Sequence, residues 1–197
     1  MGGRKAGKLA AELAVDVLAQ ELDTQQPSSM EEALAQMMHA IQEANRSIWL
    51  RGQQSVETTG MGTTLAALWC LPETAICAHV GDRRIYHMHA HKLRCVTEDH
   101  TLPQDGQNTA RHVLSRAMGI ASVVEPTITT LPYTKGDLFV LCSDGLTNAV
   151  SDEEMARILA EDLALEMRAT LLLQTALNLG GKDNVTLVLA QCHHSFT

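Results

Sequence analysis

Apolar residues follow two different rhythms along this chain. From Leu9 the spacing is helical: Leu9, Leu13 and Val17 recur at every fourth position, with Ala10, Ala14 and Leu18 beside them. That pattern puts one apolar stripe on an amphipathic helix. The polar stretch DTQQPSS at 23–29 interrupts it. Ser29 and Glu32 then stand in S-x-x-E spacing ahead of Leu34, Met37, Met38, Ile41, Asn45 and Ile48. A capping box is therefore expected to open a second helix with one broad apolar face, and the Met37-Met38 pair is read as core.

Past a polar loop at 52–62 the period changes. Thr64–Leu71, Thr74–Val80, Arg84–Met88 and Leu93–Val96 are short β-type runs separated by Pro-Glu, Gly-Asp and Ala-His-Lys breaks. Such tight spacing leaves room only for hairpins, so an antiparallel meander is expected. A long polar loop, TEDHTLPQDGQNTAR at 97–111, leads to a short helix expected to end near Gly119. Strands follow at Thr127–Leu131 and Leu138–Cys142. Ser151 and Glu154 form a second capping box for a helix running through Leu159, and a further helix spans about Ala164 to Leu179, stopping at Gly180-Gly181. Asn184–Gln191 is the last strand. Helices, a run of strands, helices and one strand make an α+β pattern rather than an alternating βαβ one.

At 197 residues the chain is long enough for one domain with a real core. Hydrophobic residues make up 45% but aromatics only 3%, so the core must rest on aliphatic side chains and the nine Met. A formal charge of −8 argues against nucleic acid or an anionic membrane as the main partner. Cys70, Cys77, Cys95, Cys142 and Cys192 are odd in number and contain no C-x-x-C pair. They read as buried reduced thiols, which fits a cytoplasmic setting. No signal-peptide pattern and no membrane-length apolar run stands out.

Three aspartates stand at strand ends beside glycine. Asp82 lies in AHVGDRRIY (78–86), Asp144 follows the run LFVLC, and Asp183 precedes the last strand in GGKDNVTLVLA (180–190). Oxygen-only clusters of this type suit Mg²⁺ or Mn²⁺ better than zinc. Taken singly, each Asp reads more readily as a turn or helix cap than as a metal ligand.

GMGTTLAAL, AHVGDRRIY, TEDHT, LSRAMG, GDLFVLCSDGLTNAVSDEEM and GGKDNVTLVLA occur in the order found in the PPM family, the metal-dependent type 2C serine/threonine protein phosphatases. The bacterial branch is the nearest look-alike, and the resemblance covers nearly the whole chain. It implies a four-layer α-β-β-α sandwich of two antiparallel sheets flanked by helices. It also implies that Asp144 and Asp183 share one divalent metal, Mn²⁺ or Mg²⁺, and that Asp82 serves a further, weaker site. A metal-activated water would then hydrolyse phosphoserine or phosphothreonine of a phosphoprotein, opposing a serine/threonine kinase.

MGGRKAGKLAAE resembles the family's D-G-M-G-G-x-x-A-G segment from its third residue onward. The expectation is one phosphatase domain over 1–197, incomplete at the N-terminus. It lacks the family's N-terminal strands, the metal-bridging Asp, the Gly whose carbonyl meets the second metal, and the Arg that grips phosphate. Arg83 replaces the Ser of G-D-S-R, and Asn148 stands where an Asp often supports the weaker site. A non-catalytic phosphatase-like binding module is the alternative reading.

Other residues carry competing readings. His87, His89 and His91 in YHMHAHKL resemble a zinc array on one strand face, against a solvated hairpin edge with no zinc. His100 is a candidate proton donor or a structural hydrogen-bonding residue. Ser143 lacks the G-x-S-x-G surroundings of a nucleophile. Lys182 and Arg83 are candidate phosphate attractors or plain surface cations.

Overall fold

A computed structural model describes residues 3–23, 26–102, 113–181 and 183–193. Its elements run α1 (Gly3–Leu22), α2 (Met30–Gly52), β1 (Leu65–Leu71), β2 (Thr74–Val80), β3 (Arg84–His89), β4 (Lys92–Cys95), β5 (Thr127–Pro132), β6 (Leu138–Cys142), α3 (Asp144–Thr147), α4 (Asp152–Leu159), α5 (Leu165–Asn178) and β7 (Leu187–Gln191). Two antiparallel sheets form, one three-stranded in the order β1-β2-β5 and one four-stranded in the order β4-β3-β6-β7. The expected α+β class with two antiparallel sheets and helices is borne out.

The expected four-strand meander is instead two hairpins in different sheets, because the chain leaves β2 at Gly81 (φ 100°) for the other sheet. The short helix expected before Gly119 is also absent among the described residues. Residues 113–118 make isolated bridges, Thr101 with Leu114 and Thr63 with Met118.

The chain divides into two compact units, Met1–Leu65 with Ala78–Gly81 and His100–Ile128, and Ala66–Cys77 with Asp82–Asp99 and Thr129–Thr197. In the first, α1 packs on α2. The residues of α1 most deeply buried are the small ones, Ala6, Ala10 and Ala14, then Leu18, while Leu9, Leu13 and Val17 are half-buried. Alanine at i, i+4 spacing lets two helix backbones approach closely. Met37 is core, but Met38 is exposed.

The capping box of α2 forms in altered shape. Ser29 Oγ accepts from the Glu32 N–H at 3.1 Å, but the Glu32 carboxylate turns to Ser28, accepting from its N–H (2.7 Å) and hydroxyl (2.6 Å). Asn45, on the apolar face, is buried and works as a polar clamp. It donates to the Ala121 carbonyl (3.0 Å) and accepts the Gly119 N–H (2.7 Å).

In the second unit the four-stranded sheet is covered on both faces. Ile85 and Phe139 face Ala75, Cys77 and Tyr133, and the Tyr133 hydroxyl donates to the Leu71 carbonyl at 2.8 Å. The alternate residues, Tyr86, Met88, Leu138, Val140 and Cys142, pack against Leu146 of α3, Met155, Ile158 and Leu159 of α4, and Leu172 and Ala176 of α5. Burial on both faces explains why LFVLC reads as an unbroken apolar run. Each large apolar side chain so buried contributes roughly 1.5–3 kcal/mol. All five cysteines are unpaired thiols, with Cys77 and Cys142 buried and Cys70 exposed, so the expectation of burial fails at Cys70.

Register fixes what lies at each end of this sheet. At one end Met88 pairs with Leu138, and there His87 Nε2 and His89 Nδ1 both meet the Asp137 carboxylate, at 2.9 and 2.8 Å. Asp137 also accepts the Thr134 N–H (3.0 Å) and lies almost wholly inside the protein. The three-histidine ladder does not form. His91 lies outside β3 in the turn to β4, where it and Ala90 take left-handed φ values of 62° and 46°.

Burial pushes the Asp137 carboxyl up, but the Thr134 N–H and the two imidazoles outweigh it and hold the group below its ordinary value of 3.8. A depressed carboxylate stabilises the fold above its unfolded value and loses that contribution as pH falls through its folded value. Asp137→Asn is therefore expected to cost about 2 kcal/mol at neutral pH. Urea titrations across pH should show the gap between wild type and mutant closing below 3.8.

Candidate metal centre

The other end of the same sheet gathers the predicted aspartates. Arg84 pairs with Cys142, and Cys142 with Leu187 on its other side. In this antiparallel set the residues before β3, after β6 and before β7 all lie at one end. They are Asp82 with Arg83, Ser143 with Asp144, and Asp183 with Asn184.

Ser143 ties two of these segments together. Its N–H donates to the Thr186 carbonyl (2.9 Å), its hydroxyl donates to the Asn184 carbonyl (3.1 Å), and the same oxygen accepts the Thr186 N–H (3.0 Å). Residues 184–186 are thereby spent on Ser143, which is why β7 starts at Leu187 rather than at Asn184. A Cβ on Gly145 would come within 2.5 Å of the Asn184 carbonyl oxygen, so only glycine permits this approach. Asp144 itself opens the one-turn helix α3, which the sequence pattern did not reveal, and Asn148 closes it with an N–H to the Asp144 carbonyl at 2.8 Å.

The carboxylates differ in their surroundings. Asp82 is largely buried, and its Oδ1 accepts no hydrogen bond. Burial pushes its carboxyl up; Arg83 opposes the shift, while the Asp144 and Asp99 charges add to it. Asp144 is partly exposed and accepts a hydrogen bond from Arg83 Nη1, while Arg83 Nε lies 3.9 Å from Asp82 Oδ1. Asp183 is exposed and accepts the Asn184 N–H at 2.7 Å. Asp99, a carboxylate that the motif reading did not single out, takes a two-pronged pair from Arg84, at 2.9 and 2.8 Å.

Among the described residues, no group of three or more His, Cys, Asp and Glu side chains converges closely enough to hold a metal ion. What the structure brings together is a pair of aspartates around a guanidinium, with a third aspartate on the adjoining turn. In chemistry the set fits a hard divalent cation. The donors are all oxygen, one buried carboxylate oxygen lacks a partner, and neighbouring like charges call for a positive ion.

The remaining candidates are structural or lie elsewhere. His100 is buried, with Nδ1 accepting the Gly81 N–H (3.2 Å), Nε2 at 2.9 Å from the Thr127 hydroxyl, and the ring stacked on His79 at 4.4 Å. An accepting Nδ1 makes Nε2 the donor, so both nitrogens are engaged in holding a loop. Ser143 Oγ is likewise bonded to backbone, donating to one group and accepting from another. Lys182 lies outside the described residues.

An antiparallel sheet covered on both faces, with aspartates at one end of β3, β6 and β7, defines the class. The chain belongs to the protein phosphatase 2C family, whose model matches residues 1–178. It is 36% identical over 204 residues to the serine/threonine phosphatase stp of Listeria monocytogenes, covering 97% of this chain and 81% of that one. Among solved structures it resembles the S. agalactiae serine/threonine phosphatase, with TM-score 0.89 and 31% identity over 98% of this chain and 84% of that one. The Mycobacterium tuberculosis phosphatase PstP/Ppp is similar too, with TM-score 0.88 and 32% identity over 98% and 86% of the two chains.

Because Gly145 lies against the Asn184 backbone, Gly145→Ala must force the two segments apart. The expected cost is about 1–3 kcal/mol, the usual range for overpacking. Thermal melting checks this. It should also show a smaller Mn²⁺-induced rise in Tm for the mutant than for wild type.

Proposed function

We propose that Asp144 and Asp183, with Asp82 beside them, hold the divalent cation of a protein serine/threonine phosphatase. The observation that carries this reading is that one sheet end holds all three aspartates, Asp82 and Asp144 through the register of β3 and β6 and Asp183 through the bonds of Ser143 to Asn184 and Thr186. Family membership makes the chain a metal-dependent protein phosphatase acting on phosphoproteins. Mn²⁺ or Mg²⁺ is the ion its oxygen donors favour. A single family match that runs across both compact units supports treating the chain as one phosphatase domain.

When bound, such an ion supplies a water of lowered pKa and neutralises phosphoryl oxygens. The protein's own residues do the positioning. Ser143 pins the turn that carries Asp183 against the turn that carries Asp144, so the two carboxylates do not drift independently. Gly145 lets those backbones touch. The buried Asp82 oxygen is preorganised for a cation because nothing else is bonded to it. Ser143 Oγ gives its proton to the Asn184 carbonyl rather than to a base and accepts the Thr186 N–H, which favours direct attack by water over a phosphoserine intermediate.

We place the protein in the cytoplasm, opposing a serine/threonine kinase. Five unpaired cysteines fit a reducing compartment, and no helix among the described residues is long and apolar enough to cross a membrane.

Release of phosphate from a phosphothreonine peptide, measured with Mn²⁺ and with Mg²⁺, is the direct test. Asp144→Asn and Asp183→Asn should each lower turnover by roughly 100-fold, since even a supporting residue of a metal site can cost that much. Peptide binding without phosphate release under either metal would favour the non-catalytic binding module instead.

A further inference from the structure

Arg83 sits in the middle of the acidic site. Its Nη1 donates to Asp144 Oδ1, and its Nε lies 3.9 Å from the otherwise unpartnered Asp82 Oδ1. It therefore takes the place, between two carboxylates, where a positive charge relieves most repulsion. The pair is not locked inside the protein, with the two side chains 31% and 32% exposed. Compare Arg84, the next residue, which is held by two parallel hydrogen bonds to Asp99 and a contact with Tyr86. Neighbouring arginines thus have different surroundings. Arg84 braces the start of β3, whereas Arg83 sits on the residues proposed to receive the metal.

We infer that Arg83 is a tethered competitor of the divalent cation, neutralising Asp144 until a metal ion displaces it. This rests on the reading that Asp82, Asp144 and Asp183 form the metal site. Asp144 Oδ1 cannot keep a close guanidinium contact and also ligate a metal ion, and a guanidinium beside a divalent ion is repelled by it. Metal binding must then break the Arg83–Asp144 pair. By mass action the apparent Kd equals the intrinsic Kd divided by the fraction of molecules in which Asp144 is open. The site therefore fills only at a higher metal concentration than its carboxylates alone require.

A merely structural ion pair and a competitor predict different results. Removing a structural pair weakens the protein with and without metal. Removing a competitor lowers stability in chelator, because Asp82 and Asp144 are left facing each other, yet tightens metal binding. Calorimetric titration with Mn²⁺, and melting in chelator and in saturating Mn²⁺, are compared for wild type, Arg83→Ser, Arg83→Lys, Asp82→Asn, Asp144→Asn, Asp183→Asn and the double mutant Arg83→Ser/Asp144→Asn.

The expected result is an Mn²⁺ Kd about fivefold lower in Arg83→Ser, the scale of one partly exposed ion pair. That mutant should also show a lower Tm in chelator and a larger Mn²⁺-induced rise. The double mutant should lose the gain. Arg83→Lys keeps the charge but not the planar fork, so its affinity should fall between the two, and it carries the comparison if Arg83→Ser folds poorly. Unchanged or weaker Mn²⁺ binding in both Arg83 mutants, with Asp144→Asn still weakening it, overturns the competitor while leaving the metal site intact. Mn²⁺ binding that ignores Asp82→Asn, Asp144→Asn and Asp183→Asn alike removes the site, and the inference with it.

Discussion

Two like charges held close at the end of a rigid sheet must be given a positive partner, and this protein is organised around that requirement. Asp82 and Asp144 come from adjacent strand ends, where the pairing of Arg84 with Cys142 sets their separation. Neither strand can slip to relieve the repulsion. A shift of one residue would turn Tyr86, Met88, Val140 and Cys142 out of the core that the helices cover. The charge must be met where it stands, by Arg83 or by a metal ion.

The two ends of the sheet make the point by contrast. At one end Asp137 is buried and fully provided for, accepting from a backbone N–H, a hydroxyl and two imidazoles. At the other, Asp82 keeps a buried oxygen with no hydrogen bond at all. A fold able to satisfy one buried carboxylate so completely leaves another unsatisfied, and the reason proposed here is that it receives a cation. The same contrast sorts the serines and histidines. Ser143 and His100 look chemically promising in isolation, yet each uses its polar atoms to hold backbone in place.

Much of this was legible in the sequence, because period and capping are local properties. The helical stripes, the Ser29 and Ser151 caps and the run LFVLC all gave elements close to those observed. Non-local choices were hidden. Nothing between Val80 and Arg84 says that the chain changes sheets, since a hairpin and a crossover use the same glycine. The one-turn helix at Asp144 is too short to show a period. Asn184–Thr186 has strand composition but gives its hydrogen bonds to Ser143. At the site, motif order marked Asp82, Asp144 and Asp183. It did not show that Arg83, a single substitution in G-D-S-R, would lie between two of them.

The role proposed for the three aspartates at this sheet end is to receive a divalent cation. Crystals soaked in MnCl₂ and measured at the manganese absorption edge test it most directly. An anomalous peak is expected in contact with the carboxylates of Asp144 and Asp183, on the side of Asp82, with Arg83 turned away from Asp144. An anomalous peak at His87 and His89 instead, or Arg83 still paired with Asp144 at full manganese occupancy elsewhere, would contradict it.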